Sequence, residues 1–217
     1  MISTLQEHWC DGFDAAARAL TRCLAEGVRA RLRNGARTVL AVGGGRTPRL
    51  ILPMLAATDC GWSGVTVTLT DDRSVAPDDP ASNAGLVRSC LLRDFAAEAS
   101  FAGLDPKGTA APPQPDLMYL GFGEDGHVAS LFPGGPELAA AHLGVVPARA
   151  PVAPRDRISL TMPTLLAAAR IVILVSGAAK HDIYRRARDE AADAGLPLAR
   201  VLRQSATPVE AFLDSAG

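Results

Sequence analysis

Hydrophobic positions recur along the chain in two spacings, one typical of amphipathic helices and the other of short buried strands. Residues 12–33 place apolar side chains three or four positions apart, which predicts one long helix ending at Asn34-Gly35. Short apolar runs, several rich in β-branched residues, predict strands at 38–42, 65–70, 117–120, 158–161, 171–175 and 209–213. Further helices are predicted at 47–57 and 179–194, and another runs to about Leu92 with Ser82 or Asn83 as its N-cap. Because strands and helices alternate, we expect an α/β sandwich with a largely parallel sheet.

Two polar stretches interrupt this alternation. Residues 71–82 are predicted to form a loop. The proline-rich stretch Asp105–Pro115 is either a domain boundary or a surface loop. Since the same alternation resumes at residue 116, we interpret this stretch as a surface loop and residues 1–217 as a single domain.

Charge and composition narrow the classes of function. The chain carries 22 Lys and Arg against 23 Asp and Glu, for a net charge of −1 and with no basic block, which argues against nucleic-acid binding. No apolar run reaches the ~18 residues that span a bilayer, and residues 1–11 are polar, so we expect a cytoplasmic protein without membrane contact. The four cysteines show no CxxC spacing, which argues against zinc and predicts small core residues.

Polar motifs follow the predicted strands rather than precede them. Four of them come directly after a strand, at residues 43–47, 71–73, 121–127 and 177–180. In an open parallel sheet, the loops beyond the carboxyl ends of the strands share one edge, where ligands bind. We therefore expect these four segments to meet at one crevice.

The first motif is a triple glycine that leads into a predicted helix. Gly44 and Gly45 allow close approach of a ligand to the backbone, and Arg46 and Thr47 follow them. We predict Thr47 as the N-cap, with Pro48 in the first helical position. Two interpretations stay open, a tight structural turn and a phosphate site at the start of the helix.

The third motif is a glycine turn around a histidine. His127 follows Glu124 and Asp125, and an imidazole accepts a proton from water near neutral pH. A neighbouring carboxylate would orient the ring, which predicts a general base; a surface or helix-capping histidine is the alternative. No third metal ligand stands at a useful spacing, and Ser130 lies outside a GxSxG elbow, which argues against a serine hydrolase.

The two other motifs carry charge. Asp71, Asp72 and Arg73 place two carboxylates beside a guanidinium, which is suited to binding phosphate or carboxylate groups; a solvated loop is the alternative. Lys180 stands near the start of a predicted helix, where its ammonium could lie beside a phosphate.

Together these segments resemble the 6-phosphogluconolactonase family, relatives of the glucosamine-6-phosphate deaminases. GGRTP (44–48) is similar to the family's GGSTP loop, and DDRSVAPDDPASN (71–83) to its DERxVPxxxxxSN segment. DLMYLGFGEDGHVASLFPG (116–134) is similar to DLxLLGMGxDGHTASLFPG, and residues 157–180 follow RITLTLPxLxxAxxxxxLVxGxxK. The segment LPLARVLR (196–203) also fits. The similarity runs in order across about 140 residues, and its DGHxASLFPG block is highly specific.

The resemblance implies a three-layer αβα sandwich around a largely parallel, Rossmann-like sheet. It implies hydrolysis of 6-phospho-D-glucono-1,5-lactone to 6-phosphogluconate, with no metal or organic cofactor. We expect the partner to be this small sugar-phosphate lactone and the protein to be a monomer or weak homodimer. The rival functions are an amino-sugar-phosphate deaminase or isomerase and a non-catalytic sugar-phosphate sensor.

The family pattern also suggests roles for individual residues. The predicted catalytic residues are His127, Asp125 and Asp71. The predicted substrate-binding residues are Gly44, Gly45, Arg46, Thr47, Arg73, Asn83, Arg155 and Lys180. Arg155 and Arg157 both lie near a basic position of the family, and the choice between them stays open.

Three positions depart from the family pattern. Arg46 stands where the family usually has Ser, Asp72 replaces Glu, and Val128 replaces Thr. The first departure exchanges a hydroxyl for a guanidinium, and the second shortens a carboxylate side chain by one methylene. The third removes a hydroxyl beside His127.

Overall fold

The computed structural model describes residues 4–105, 111–189, 193 and 195–215. The described strands are β1 Leu5–Cys10, β2 Thr38–Val42, β3 Val65–Leu69, β4 Asp71–Arg73, β5 Ser100–Ala102, β6 Leu117–Tyr119, β7 Val145–Arg149, β8 Asp156–Leu160, β9 Arg170–Val175 and β10 Val209–Asp214. The described α-helices are α1 Gly12–Arg33, α2 Arg46–Ala56, α3 Asn83–Cys90, α4 Met162–Leu166, α5 Ala178–Asp189 and α6 Pro197–Arg203.

A parallel sheet forms the centre of the molecule. Its order is β1-β10-β9-β6-β2-β3-β5, seven strands within the described residues, and every neighbouring pair is parallel. All of its strands therefore end at the same edge. The prediction of a largely parallel sheet is confirmed.

Helices cover both faces of this sheet, which is why its inner strands are apolar on both sides. Along β9, Val172 and Leu174 pack into the core formed with α1, α2 and α3. Ile171, Ile173 and Val175 point the opposite way, into the core formed with α4, α5 and α6. This alternation within one strand separates two cores and confirms the three-layer αβα sandwich.

A second, antiparallel sheet lies beside the first and was not predicted. Its order is β4-β8-β7, three strands in the part of the chain described. The prediction of a loop at 71–82 is wrong for Asp71–Arg73, because these residues pair with β8 directly after β3 ends. Thr70 joins the two sheets, since its carbonyl accepts a hydrogen bond of 2.8 Å from the Leu160 N–H.

Several boundaries also differ from the prediction. Helix α2 begins at Arg46, so Thr47 is not the N-cap; Gly45 is, with a φ of +114° that favours glycine. Strands β1, β5 and β7 were not predicted. The proline-rich stretch falls partly outside the described residues (106–110), as does the far end of the predicted helix 179–194. Ser82, one of the two predicted caps of α3, accepts the Gly85 N–H at 3.0 Å.

The cysteines lie in or against the core, as predicted. Cys60 is buried, and the other three cysteines are partly buried against the same core. No helix within the described ranges is long and apolar enough to cross a membrane.

Candidate active site

The carboxyl ends of the central strands open onto a cleft of about 890 Å³. All but one of the predicted site residues line it: Gly44, Gly45, Arg46, Thr47, Asp71, Arg73, Asn83, Asp125, His127 and Lys180. Apart from Asn83 at the start of α3, these residues come from the four motifs of the sequence, and the parallel sheet brings them to one edge.

Arg155 is the exception, and of the two candidate arginines it is Arg157 that lines the cleft. Arg155 lies exposed in the turn before β8, where its carbonyl accepts the Ala150 N–H at 2.8 Å. Arg157 stands inside β8 and pairs in register with Arg73 of β4. Burial lowers the pKa of Arg157, and the positive charge of Arg73 lowers it further.

The histidine turn holds its ring through a carboxylate in the same turn. His127 Nδ1 lies 2.6 Å from Asp125 Oδ1, which also accepts the His127 backbone N–H at 3.2 Å. The hydrogen bond from His127 holds the pKa of Asp125 below its usual value. An ionised carboxylate only accepts, so Nδ1 carries the proton and the lone pair of the neutral ring lies on Nε2.

The shape of this turn requires glycine at position 123. A Cβ there would overlap the His127 ring and the Asp125 carboxylate. The turn closes by a hydrogen bond of 2.9 Å from the Gly123 N–H to the His127 carbonyl. The Phe132 ring lies against the histidine, with ring centroids 4.7 Å apart. The imidazole is therefore fixed by its bond to Asp125 and by packing on two sides.

The triple-glycine loop packs against the start of α3. A Cβ on Gly44 would overlap the amide of Asn83, so only glycine allows this approach. Asn83 Nδ2 donates to the Asp71 carbonyl at 2.8 Å. Asp72 accepts the backbone N–H groups of Asn83 at 2.6 Å and of Ala84 at 3.1 Å, which caps the helix. Asp72, one methylene shorter than the family's Glu, therefore fixes the start of α3, against which the glycine loop packs.

Asp71 is buried and joins the second motif to the histidine turn. Its carboxylate accepts a hydrogen bond of 2.6 Å from Ser130 Oγ, three residues after His127. Its catalytic role stays a prediction. Sequence reasoning considered Ser130 only as a nucleophile and missed this contact, because nothing along the chain indicates that residues 59 positions apart are partners.

Lys180 and Arg73 bring positive charge into the cleft, and neither forms a salt bridge with a carboxylate of the described residues. Lys180 Nζ lies 4.8 Å from the centre of the Phe122 ring and has no ion-pair partner among the described residues. Burial lowers the pKa of Lys180, repulsion by Arg46 lowers it further, and Glu124 partly opposes both. Arg73 donates to the Ala81 carbonyl, and its buried Nε has no hydrogen-bond partner in the part of the chain that the structure describes. Such a site suits an anion, which would compensate these charges.

The described residues contain no group of three or more His, Cys, Asp or Glu side chains arranged to hold a metal ion.

Comparison with known proteins identifies the family of this chain. The model of glucosamine-6-phosphate isomerases/6-phosphogluconolactonase matches residues 12–110 and 96–209, which is most of the chain. The chain belongs to this family. Its central motifs, the glycine loop, the histidine turn and the lysine, all fall inside the matched residues.

Individual relatives support this membership, because the similarity extends over nearly their whole length. The 6-phosphogluconolactonase of Caulobacter vibrioides is 40% identical, over 92% of this chain and 91% of that protein. That of Rhizobium meliloti is 35% identical, over 89% of this chain and 94% of that protein. The crystal structure of a 6-phosphogluconolactonase from Shewanella baltica superposes with a TM-score of 0.87 at 30% identity, covering 96% of this chain and 97% of that one.

Proposed function

We propose that this protein hydrolyses 6-phospho-D-glucono-1,5-lactone to 6-phosphogluconate. Relatives of 35–40% identity that carry the name 6-phosphogluconolactonase support the reaction. The observation that carries the proposal is one cleft lined by two kinds of group. It holds the His127–Asp125 pair, and it holds the cations Arg46 and Lys180, for which the described residues provide no salt bridge. A proton acceptor and an anion site in the same cleft suit a lactone that carries a phosphate group.

In the proposed mechanism, His127 acts as a general base on water. Nε2 takes a proton from the water as its oxygen attacks C1 of the lactone, and the carbonyl oxygen becomes an oxyanion. When the C1–O5 bond breaks, the imidazolium returns the proton to the ring oxygen, which leaves as a hydroxyl. Asp125 stays ionised and stabilises the imidazolium through Nδ1–H. General-base assistance of this kind is worth roughly 10²–10⁴ in rate.

The other residues of the cleft would bind the phosphate and stabilise the oxyanion. We assign the phosphate to residues 44–47, Lys180 and an arginine, which would fix the lactone in a near-attack geometry. The oxyanion would be stabilised by backbone N–H groups of a glycine turn, by Arg73 or by Lys180, each worth about 10²–10³. Arg157 replaces Arg155 in this proposal, because Arg157 lines the cleft and Arg155 does not.

The test is a lactonase assay with substrate formed in situ by a dehydrogenase, measured above the spontaneous background. We expect His127→Ala to lower kcat by roughly 10²–10⁴ with little change in KM. Lys180→Ala should chiefly raise KM, because it removes a charge from the phosphate site. Near-normal turnover by His127→Ala would contradict the base assignment. Ammonia release from glucosamine 6-phosphate, or binding of 6-phosphogluconate without turnover, would support the rival functions instead.

A further inference from the structure

The first turn of α5 is held by a buried carboxylate that the proposed reaction does not use. Asp214, at the carboxyl end of β10, accepts hydrogen bonds from Ser176 Oγ at 2.5 Å and from His181 Nε2 at 2.8 Å. The Gly177 backbone N–H donates to the same carboxylate. Asp214 therefore binds the chain on both sides of Lys180.

This cluster has the residue types of a Ser–His–Asp relay but a different connectivity. In a relay the histidine accepts the proton of the serine, whereas here Ser176 and His181 both donate to one carboxylate. The side chains of Asp214 and His181 are each only 9% exposed, and the Trp9 ring stacks on the imidazole at 5.9 Å. The arrangement is suited to holding backbone in place rather than to transferring a proton.

Ionisation of Asp214 is maintained despite its burial. Burial by itself would raise the pKa of this carboxyl, but the hydrogen bonds from Ser176 and His181 hold the pKa below its usual value. All three donors thus meet a full negative charge, and hydrogen bonds to a charged acceptor are about twice as strong as neutral ones.

The cluster lies directly behind the part of the cleft around Lys180, which we assign to the phosphate. Ser176 and Lys180 line the cleft, whereas Asp214 and His181 lie outside its lining. The Lys180 side chain is long and flexible, and beyond its contact with Phe122 its position depends on the turn from which it starts. That turn is fixed by Asp214 and by a hydrogen bond of 3.0 Å from the Lys180 N–H to the Gly177 carbonyl.

We propose that Asp214 is a positioning residue, which anchors the turn between β9 and α5 so that Lys180 reaches the phosphate of the substrate. The inference rests on the proposed function in taking the ligand to be a phosphorylated sugar acid or its lactone. Asp214 itself lies outside the lining of the cleft and acts through the position of Lys180. Its loss should therefore weaken phosphate binding while leaving the chemistry at His127 unchanged.

The test measures the affinity of the full chain for 6-phosphogluconate by calorimetry, together with kcat and KM for the lactone. Asp214→Asn replaces one accepting oxygen by an NH₂ group, so the three donors cannot all be satisfied, and we expect affinity to fall about tenfold. Ser176→Ala removes one donor and should give a smaller loss; it keeps the test open if Asp214→Asn fails to fold. In both variants we expect KM to rise and kcat to stay near the wild-type value.

A double variant distinguishes positioning from general destabilisation. If Asp214 acts through Lys180, adding Asp214→Asn to Lys180→Ala should weaken binding no further. Asp182→Asn is the matched control, because Asp182 also lies on α5, is 61% exposed and, among the described residues, forms ion pairs no shorter than 3.9 Å. This substitution also removes one negative charge, but not from the cluster around Asp214, so it should leave the affinity for 6-phosphogluconate unchanged.

The outcomes separate this inference from the proposed reaction. Additive losses in the double variant, or an equal loss in Asp182→Asn, would overturn the positioning role even if the lactone is hydrolysed. The expected affinity pattern without lactone turnover would support positioning and overturn the reaction. A wild-type chain that does not bind 6-phosphogluconate would overturn the positioning role, and the proposed reaction as well if the lactone is not hydrolysed.

Discussion

Contacts of single side chains leave the positive charges of the cleft without a carboxylate partner. The Asp125 carboxylate is hydrogen-bonded to His127 and does not form a salt bridge with the cations. Lys180 lies over the face of Phe122 instead of beside a carboxylate. An aromatic face attracts an ammonium but carries no net charge, so the lysine is held while its charge stays available to a ligand. In this way one cleft can hold both the proposed base and the proposed phosphate site.

Replacing Asp125 by Asn should lower kcat without abolishing binding. The Asn amide can donate to Nδ1, which would favour the tautomer with the proton on Nε2 and remove the lone pair that accepts from water. We expect a loss of roughly 10²-fold or more in kcat, with 6-phosphogluconate affinity unchanged. Glu124→Gln is the control, since Glu124 is exposed in the same turn and should leave kcat intact. Full turnover by Asp125→Asn would show that the carboxylate does not set the tautomer.

The pH dependence of phosphate binding should report the lowered pKa of Lys180. Burial and Arg46 favour the neutral amine, so the ammonium is lost at a lower pH than for an exposed lysine. Affinity for 6-phosphogluconate should therefore decline as pH rises through that lowered pKa, while the phosphate stays a dianion. In Lys180→Arg the charge persists, and calorimetry between pH 7 and about 10 should find a flatter curve. Identical curves for the two proteins would exclude Lys180 from the phosphate site.

Among the elements, those buried on both faces could be predicted from sequence. Strands β2 and β9 are apolar after their first residue, as expected for strands between two helix layers. Strand β1 was missed because it is an edge strand of mixed composition, whose His8 is paired with Glu210 of β10 at 3.2 Å. The antiparallel sheet was missed because β4 is short and polar, and its pairing with β8 depends on contacts distant in sequence.

The residues of the candidate site also include some that could be predicted from sequence and some that could not. Residues that follow strands, such as His127 and Lys180, could be predicted, because sheet topology alone brings strand ends together. The contacts of Asp71 with Ser130 and of Asp214 with His181 could not, because they join side chains 59 and 33 positions apart. The choice of Arg157 over Arg155 likewise needed the register of β8 against β4.

Replacing Gly44 by Ala should disturb two elements at once, the glycine loop and the start of α3. The new methyl would displace the Asn83 amide, which would break its bond to the Asp71 carbonyl. We expect about 1–3 kcal/mol of lost stability, typical of overpacking, and a clear rise in KM for the lactone. Thermal denaturation and steady-state kinetics measure the two effects.

Gly103→Ala is the control for that substitution. A Cβ on Gly103 would lie at an ordinary contact distance of 3.6 Å from the Phe101 ring, and this glycine is outside the cleft. The control should keep both stability and KM. If Gly44→Ala behaved like Gly103→Ala, the close packing of the loop on Asn83 would have no role in binding.

At the scale of the whole molecule, the cleft depends on both layers of helices. The glycine loop leads into α2 on one face of the sheet, and Lys180 lies on α5 on the other. The two cores share the strands between them, so loss of either would separate the walls of the cleft. We therefore propose that the chain is a single domain, in which ligand binding and folding are coupled.

This coupling predicts a single unfolding transition that 6-phosphogluconate moves upward. At a free concentration of 100 Kd, a ligand of the folded state alone adds about 2.7 kcal/mol, which raises Tm by about 5–10 °C for a chain of this size. Scanning calorimetry should find one peak with equal calorimetric and van't Hoff enthalpies, before and after addition. His127→Ala should keep the shift, because the base is not needed for binding, whereas Lys180→Ala should lose most of it at the same ligand concentration. Two peaks, of which the ligand moves one, would mean that the walls of the cleft belong to separately folding units.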